Sequence, residues 1–326
     1  MAIKLAYRCD GTGGAEDIDP QGQTAAQLSQ GEGFVWLHLE RPAPDEPDWL
    51  HQSGLDALVT EVLDAPETRP RCATHGDGVL MNLRGVNLSE GEEPEDMVSL
   101  RIWATQGLVV TVQRRRIRAV EDVAEALTRR AAPHDSGELI ARIALRLADR
   151  AEPIVADLNE RIDDLETELE DNGRLPSRAE LAEVRRVSIM LRRYMFPQRD
   201  ALSTLEIEDM DWMMHGARER VREATERVTR LAESLDAIRD RAEVVHDQIM
   251  DMRAEASNRQ MLVLSVVAAI FLPLGLLTGL LGINVGGVPG AAQPMAFWIV
   301  CALLLVIGAG QVWLFRHLGL IGRDRG

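Results

Sequence analysis

Between Met261 and Leu281 the chain runs for 21 residues without a charge, and a second apolar run extends from Met295 to Phe315. The neutral, glycine-rich stretch Gly282 to Pro294 separates them. About 20 apolar residues in a helix cross the roughly 30 Å of bilayer hydrocarbon, so both runs read as membrane spans. Everything before Met261 is polar enough to form a water-soluble body seated on one short hairpin. That body carries 33 basic and 51 acidic groups, within a formal net charge of -16 for the whole chain. Such a surface repels nucleic acid and concentrates cations, although acidity of this size also serves solubility alone. The three cysteines, Cys9, Cys72 and Cys301, are too scattered for a disulfide framework, which points to a cytosolic body. The N-terminus has no apolar run of the kind a cleavable signal needs.

Residues 1–135 read as a mixed α/β domain. Phe34 to Leu39 is strand-like, and Asp48 to Ala65 has helical spacing closed by Pro66. Three strands follow, Gly78 to Val86, Met97 to Thr105 and Leu108 to Gln113, joined as hairpins, and then an amphipathic helix from Ile117 to Ala131. Residues 136–208 read as a helical hairpin. Pro153 is its main local interruption, Asn172-Gly173 ends one helix and Pro176-Ser177 starts the next, which Pro197 should kink. No phosphate loop, nucleophile elbow or catalytic carboxylate pair stands out, so an enzyme is not expected.

The strongest periodicity lies in residues 209–260. Val221, Ala224, Val228, Leu231, Leu235, Ile238, Ala242, Val245, Ile249 and Met252 step by 3, 4, 3, 4 throughout, the seam of a coiled coil. A helix from Asp209 to Leu281 would be about 110 Å long at 1.5 Å per residue. It is expected to pair with copies of itself and with the preceding hairpin. The spans are then 261–281 and 295–315, with the loop 282–294 between them and a tail at 316–326. Arg253 and Arg259 precede the first span and Arg316, Arg323 and Arg325 follow the second, while the loop has no charge. The positive-inside rule places both termini in the cytoplasm.

Gly282-Ile283-Asn284 sits where the first span ends. This tripeptide suits a helix cap and turn. It suits equally a ring of asparagine carbonyl oxygens, one from each of several subunits, around a hydrated cation. With the mixed body, the helical hairpin, the long stalk and the paired C-terminal spans, it resembles the CorA family of cation transporters over essentially the whole chain. The magnesium branch of that family carries Gly-Met-Asn here. Gly-Ile-Asn-Val-Gly-Gly-Val-Pro-Gly (Gly282 to Gly290), with Phe271-Leu272-Pro273 and Leu277-Thr278-Gly279-Leu280 upstream, is similar to the ZntB zinc-transporter branch. Arg193-Tyr194-Met195 and Pro197-Gln198-Arg199-Asp200 resemble that branch's stalk motif.

The resemblance implies an α+β cytoplasmic domain, a long helical stalk and two C-terminal transmembrane helices, assembled as a funnel-shaped homopentamer in a bacterial inner membrane. It also implies divalent-cation transport, zinc first, with proton-coupled import. The cation is cargo and no cofactor is expected. The first span of each subunit would line the pore. Helical spacing back from Asn284 then selects Gly279, Gly275 or Leu276, Leu272, Ala268, Leu264 or Ser265, Met261 and Asn258. Gly275, Thr278, Gly279 and Gly282 are equally suited to helix packing, and Asn258 to plain solvation at the membrane surface.

The outer loop Val285 to Pro294 lacks the acidic collar of the magnesium pattern, and the first span has no Cys or His. Zinc would therefore have to pass largely hydrated. Asp236, Asp240, Glu243 and Asp247 are candidates for an acidic lumen, or else a solvated helix face. As metal ligands, Cys72 and His75 have the spacing of half a site in what reads as a loop. His246 beside the seam is a weak candidate, with His134 and His215 behind it. Met210, Met213 and Met214 read as packing around Trp212. The competing readings are a magnesium or cobalt channel of the same family and a membrane-anchored coiled-coil scaffold without an ion path.

Overall fold

The computed structural model describes residues 1–40, 48–66, 69–129, 131–172, 176–283, 290 and 293–320. The chain forms two compact units, Met1–His246 and Asp247–Gly326.

The first unit is built on a seven-stranded sheet of order β2-β1-β3-β7-β6-β5-β4. Its strands are β1 (Ala2–Cys9), β2 (Ala15–Asp17), β3 (Phe34–Glu40), β4 (Arg71–His75), β5 (Gly78–Gly85), β6 (Val98–Ala104) and β7 (Leu108–Gln113). Only β3 and β7 pair in parallel among them. Strand alternation sends Val35, Leu37 and Leu39 of β3 and Val110 and Val112 of β7 into one core. There they meet α1 (Ala25–Leu28), α2 (Trp49–Gln52) and α3 (Ala57–Asp64) through Leu28, Trp49, Leu50, Val59 and Leu63. The expected helix over Asp48 to Ala65 is thus two helices. Gly54 between them has φ +72°, which no helix interior accepts, and Asp56 restarts the chain as an N-cap to Leu58.

Helix α4 (Arg118–Thr128) buries Val120, Val123 and Leu127. It packs on α5 (Ser136–Asn172), which in turn reaches β5. At Gly85 an added Cβ would come within 2.7 Å of Leu147, so the helix needs a bare backbone there to approach the strand. Helix α5 continues unbroken through Pro153, correcting the expected interruption. Proline removes one hydrogen bond, and flanking burial of Ala151, Val155 and Leu158 holds the helix across the gap. Helix α6 (Arg178–Ile207) starts at Ser177, whose hydroxyl accepts from the Glu180 amide, and passes Pro197.

Helix α7 (His215–Gly282) begins six residues later than the spacing predicts. Residues 209–214 turn instead, because Trp212 is buried with its indole donating to the Asp77 carbonyl at 3.1 Å, and Asp135 accepts the Met214 amide. Met210 and Met213 pack in that turn, while Met214 is 62% exposed. The heptad seam from Val221 to Val245 is buried within a single chain. Ion pairs fix its neighbours: Arg227 to Asp149 and Arg241 to Glu166 on α5, Arg192 on α6 to Asp236. The seam therefore closes a three-helix layer with the hairpin, and copies of the chain are not needed to bury it.

The second unit contains the end of α7 and α8 (Ala296–His317), both long and apolar enough to cross a membrane. No residue of α8 is buried.

Candidate functional site

The candidate site is the membrane part of α7. Pro273 lies inside it and has no N–H to give to the carbonyl of Ala269, four residues back. An unpaired carbonyl is costly in hydrocarbon, where water cannot rescue it. The amide of Gln311 on α8 donates to that carbonyl at 3.2 Å. One step along, Leu274 faces α8 at Gly308, where an added Cβ would lie 3.9 Å from it, an ordinary contact. Val266, Ile270, Leu274 and Leu277 are half-buried and form the face that α8 covers.

The sequence-derived pore stripe lies elsewhere. Asn258, Met261, Leu264, Ser265, Ala268, Leu272, Gly275, Leu276 and Gly279 are all exposed. With 3.6 residues per turn their mean direction is roughly 160° around the helix from the covered face. Added Cβ atoms at Gly275, Gly279 and Gly282 would meet nothing within 4 Å, so none of the three is used for packing inside the chain. Thr278 turns its hydroxyl back to the carbonyls of Leu274 and Gly275 at 3.0 and 3.1 Å. Gly282 is the last helical residue and is not in the left-handed conformation a glycine cap uses, and Ile283 beyond it is half exposed. Asn284 lies outside the described residues, as do residues 285–289.

The acidic candidates are less free than their sequence positions imply. Asp236 is bound by Arg192 and, at 3.2 Å, by Arg239. Asp240 takes the other arm of Arg239 at 2.6 Å, and Glu243 lies 4.0 Å from Arg185. Asp247 is exposed. Each of the three thus has an arginine within ion-pair reach, which the abundance of Arg in the stalk signals.

The metal-ligand candidates do not converge. Cys72 and His75 lie on β4, a strand and not the expected loop, and an odd spacing sends their side chains to opposite faces. Burial, reinforced by Glu208, pushes the Cys72 thiol up to about 12, so it stays protonated. His75 instead pairs with Asp56 at 3.4 Å and meets the Trp103 ring edge-on. His246 shares a cleft with Arg178, Arg185 and Arg186, a setting that repels metal cations. His134 is held by Glu138 at 2.8 Å. Burial alone would raise the Glu138 carboxyl, but hydrogen bonds from His134 and Arg142 outweigh it and hold it at about 2. Among the described residues no three His, Cys, Asp or Glu side chains cluster as a metal site.

Sequence reasoning missed Gln311, although it is the only amide side chain in the second span and faces a span interrupted by proline. It also missed Arg101, a lone charge in the strand Val-Ser-Leu-Arg-Ile-Trp-Ala.

Residues 31–317 match the family described as CorA-like Mg2+ transporter protein. The chain is 37% identical over 313 residues to the zinc transport protein ZntB of Pectobacterium carotovorum subsp. carotovorum, covering 96% of this chain and 94% of that one. It is 36% identical over 315 residues to the divalent cation transporter CmaX of Pseudomonas aeruginosa, covering 96% and 95%. Among solved structures, full-length CmaX superposes with a TM-score of 0.83 at 36% identity, over 97% of each chain.

Proposed function

The chain belongs to the CorA-like family of Mg2+ transporter proteins, and from that premise we propose that it carries divalent cations, zinc foremost, through a membrane pore walled by α7. The observation that carries the pore reading is the separation of faces on the first span. The side of α7 away from α8 offers Leu272, Ala268, Gly275 and Gly279, all exposed among the described residues. An apolar wall with small residues suits a hydrated cation that slides past without binding tightly. Asn284 supplies the polar mouth, and no stronger ligand is called for.

A single first span cannot enclose a path, so the pore needs several copies around an axis, and the family resemblance makes the number five. The uncovered apolar faces of α7 and α8 supply surface for that assembly. The arginines flanking both spans favour a bacterial inner membrane with both termini in the cytoplasm. Zinc is preferred over magnesium because of the Gly-Ile-Asn motif and the likeness to the ZntB protein. Proton-coupled import accompanies that branch.

Reconstituted protein in liposomes with ion-sensitive dyes tests this reading. Zinc entry that an inward proton gradient raises, and that Asn284→Ala abolishes, is the expected result. Magnesium entry indifferent to protons would move the chain to the magnesium branch. No flux of either ion from an intact oligomer would leave only a scaffold.

A further inference from the structure

A groove on α8, beside α7, ends in a charge that the ion path does not use. It encloses about 640 Å³ within the second unit. Leu274 of α7 stands on one side, and Leu304, Leu305, Gly308 and Val312 of α8 run along its length. Trp313 and Arg316 close it at the C-terminal end of α8. Apolar exposure on a membrane helix is ordinary, since lipid tails are as apolar as leucine. A guanidinium at the end of such a groove is different, because it calls for water or an anion.

The dimensions of the groove fit one leaflet. From Leu304 to Arg316 it follows about 18 Å of α8 at 1.5 Å per residue. One leaflet supplies half of the roughly 30 Å of bilayer hydrocarbon, close to the same length. Gly308 puts no side chain on the floor of the groove. Trp313 is stacked on His317, with ring centroids 5.5 Å apart and planes within 3° of parallel. The stack fixes the indole as a wall next to Arg316, at the level where tryptophan and cations meet lipid headgroups.

Charge decides between a lipid and a second copy of the chain as the occupant. Among the described residues the Arg316 side chain makes no ion pair or hydrogen bond. After Met261 the sequence has a single acidic residue, Asp324, outside the described residues. The Gln311 bond to the Ala269 carbonyl joins antiparallel helices and sets Arg316 level with about Leu264. Glu255, the nearest acid on α7, lies about 14 Å further along the helix. Copies arranged around one axis share one level, so no span of a neighbour brings a carboxylate to this end of the groove. A lipid brings its phosphate to that level and its acyl chain into the hydrocarbon.

We infer that this groove holds an anionic glycerophospholipid, with its phosphate on Arg316, its glycerol region against Trp313 and one acyl chain along α8 beside Leu274. A guanidinium offers a phosphate two parallel N–H donors. A zwitterionic headgroup carries its own cation, which competes for that phosphate, so an anionic lipid is favoured. The inference rests on the reading of α7 and α8 as membrane spans and is independent of which cation is carried.

Full-length protein in vesicles tests this, with acyl-brominated phosphatidylglycerol or phosphatidylcholine as a minor component at fixed surface charge. Bromine on the chain quenches only the tryptophans it reaches. Trp298 and Trp313, each 67% exposed, are the tryptophans of the second unit. Trp298→Phe leaves Trp313 as the reporter on the groove, and Trp313→Phe leaves Trp298 as the marker of insertion. Phosphatidylglycerol should quench Trp313 with about fivefold tighter binding than phosphatidylcholine, the worth of one arginine near an anionic surface. Arg316→Gln should bring the two lipids level, and Gly308→Leu, which fills the floor, should weaken both. Equal quenching of Trp313 by the two lipids overturns the inference, as does a preference that survives Arg316→Gln. Quenching of Trp298 without Trp313 would mean that a second copy fills the groove, which also overturns it. Quenching of neither overturns the membrane reading, and the inference with it.

Discussion

Pro273 takes one donor away from the first span, and Gln311 on the second replaces it. Gln311→Leu leaves the Ala269 carbonyl unpaired in hydrocarbon. It should cost about 1–2 kcal/mol, the range of interhelical hydrogen bonds in membranes, read as a lower melting temperature in detergent. An unchanged melting temperature would mean that the proline gap needs no partner. In the first unit Glu138 is the corresponding single point of tension. Its carboxyl is held at about 2 in the folded chain against an ordinary value of 4.5, under the hydrogen bonds of His134 and Arg142, with Arg220 at 3.3 Å from α7. The folded form gives up protons more readily than the unfolded one, so this stabilisation is complete above about pH 4.5 and disappears as pH falls toward 2. Allowing for solvent near the site, it is worth about 2 kcal/mol. A melting series from pH 6 downward should show that loss in the parent, and a shallower slope in Glu138→Gln.

At the scale of elements, α7 does two jobs with two patterns. Its heptad seam is an internal one, closed by α5 and α6, so Leu235→Ala should open a cavity and cost about 2–5 kcal/mol in thermal stability of the first unit. A shift near zero would mean that the seam is filled from outside the chain. Patterns of this kind are legible in the residues alone: charge-free runs mark the spans, 3-4 steps mark the seam, and Ser177 marks a helix start. Other features are not, because tertiary contacts decide them. Residues 209–214 turn for the sake of a buried Trp212, Gly54 splits a helix with correct apolar spacing, and α5 runs through Pro153 because both flanks are packed. Cys72 and His75 look like half a ligand set until β4 puts them on opposite faces. On the pore helix, sequence selects a stripe through spacing from Asn284. Which face α8 covers is marked by the Gln311 bond to the Ala269 carbonyl, which no periodicity shows.

At the scale of the whole molecule, charge and hydrocarbon are kept apart along the chain. The acidic groups lie before Met261 with one exception, and many of those on the stalk are already held by arginine. If, in the proposed transport, the summed field of the body attracts the cations, zinc flux should fall as ionic strength rises. The central claim is that the face of α7 turned away from α8 is the wall of an ion path. Its most direct test is zinc flux into liposomes from single-cysteine variants, with Cys9, Cys72 and Cys301 replaced by alanine, before and after a water-soluble thiol reagent. Leu272→Cys, on the open face and 71% exposed, should lose zinc flux on modification, while Leu274→Cys, against α8, should keep it. Block at position 274 with none at position 272 would contradict the account.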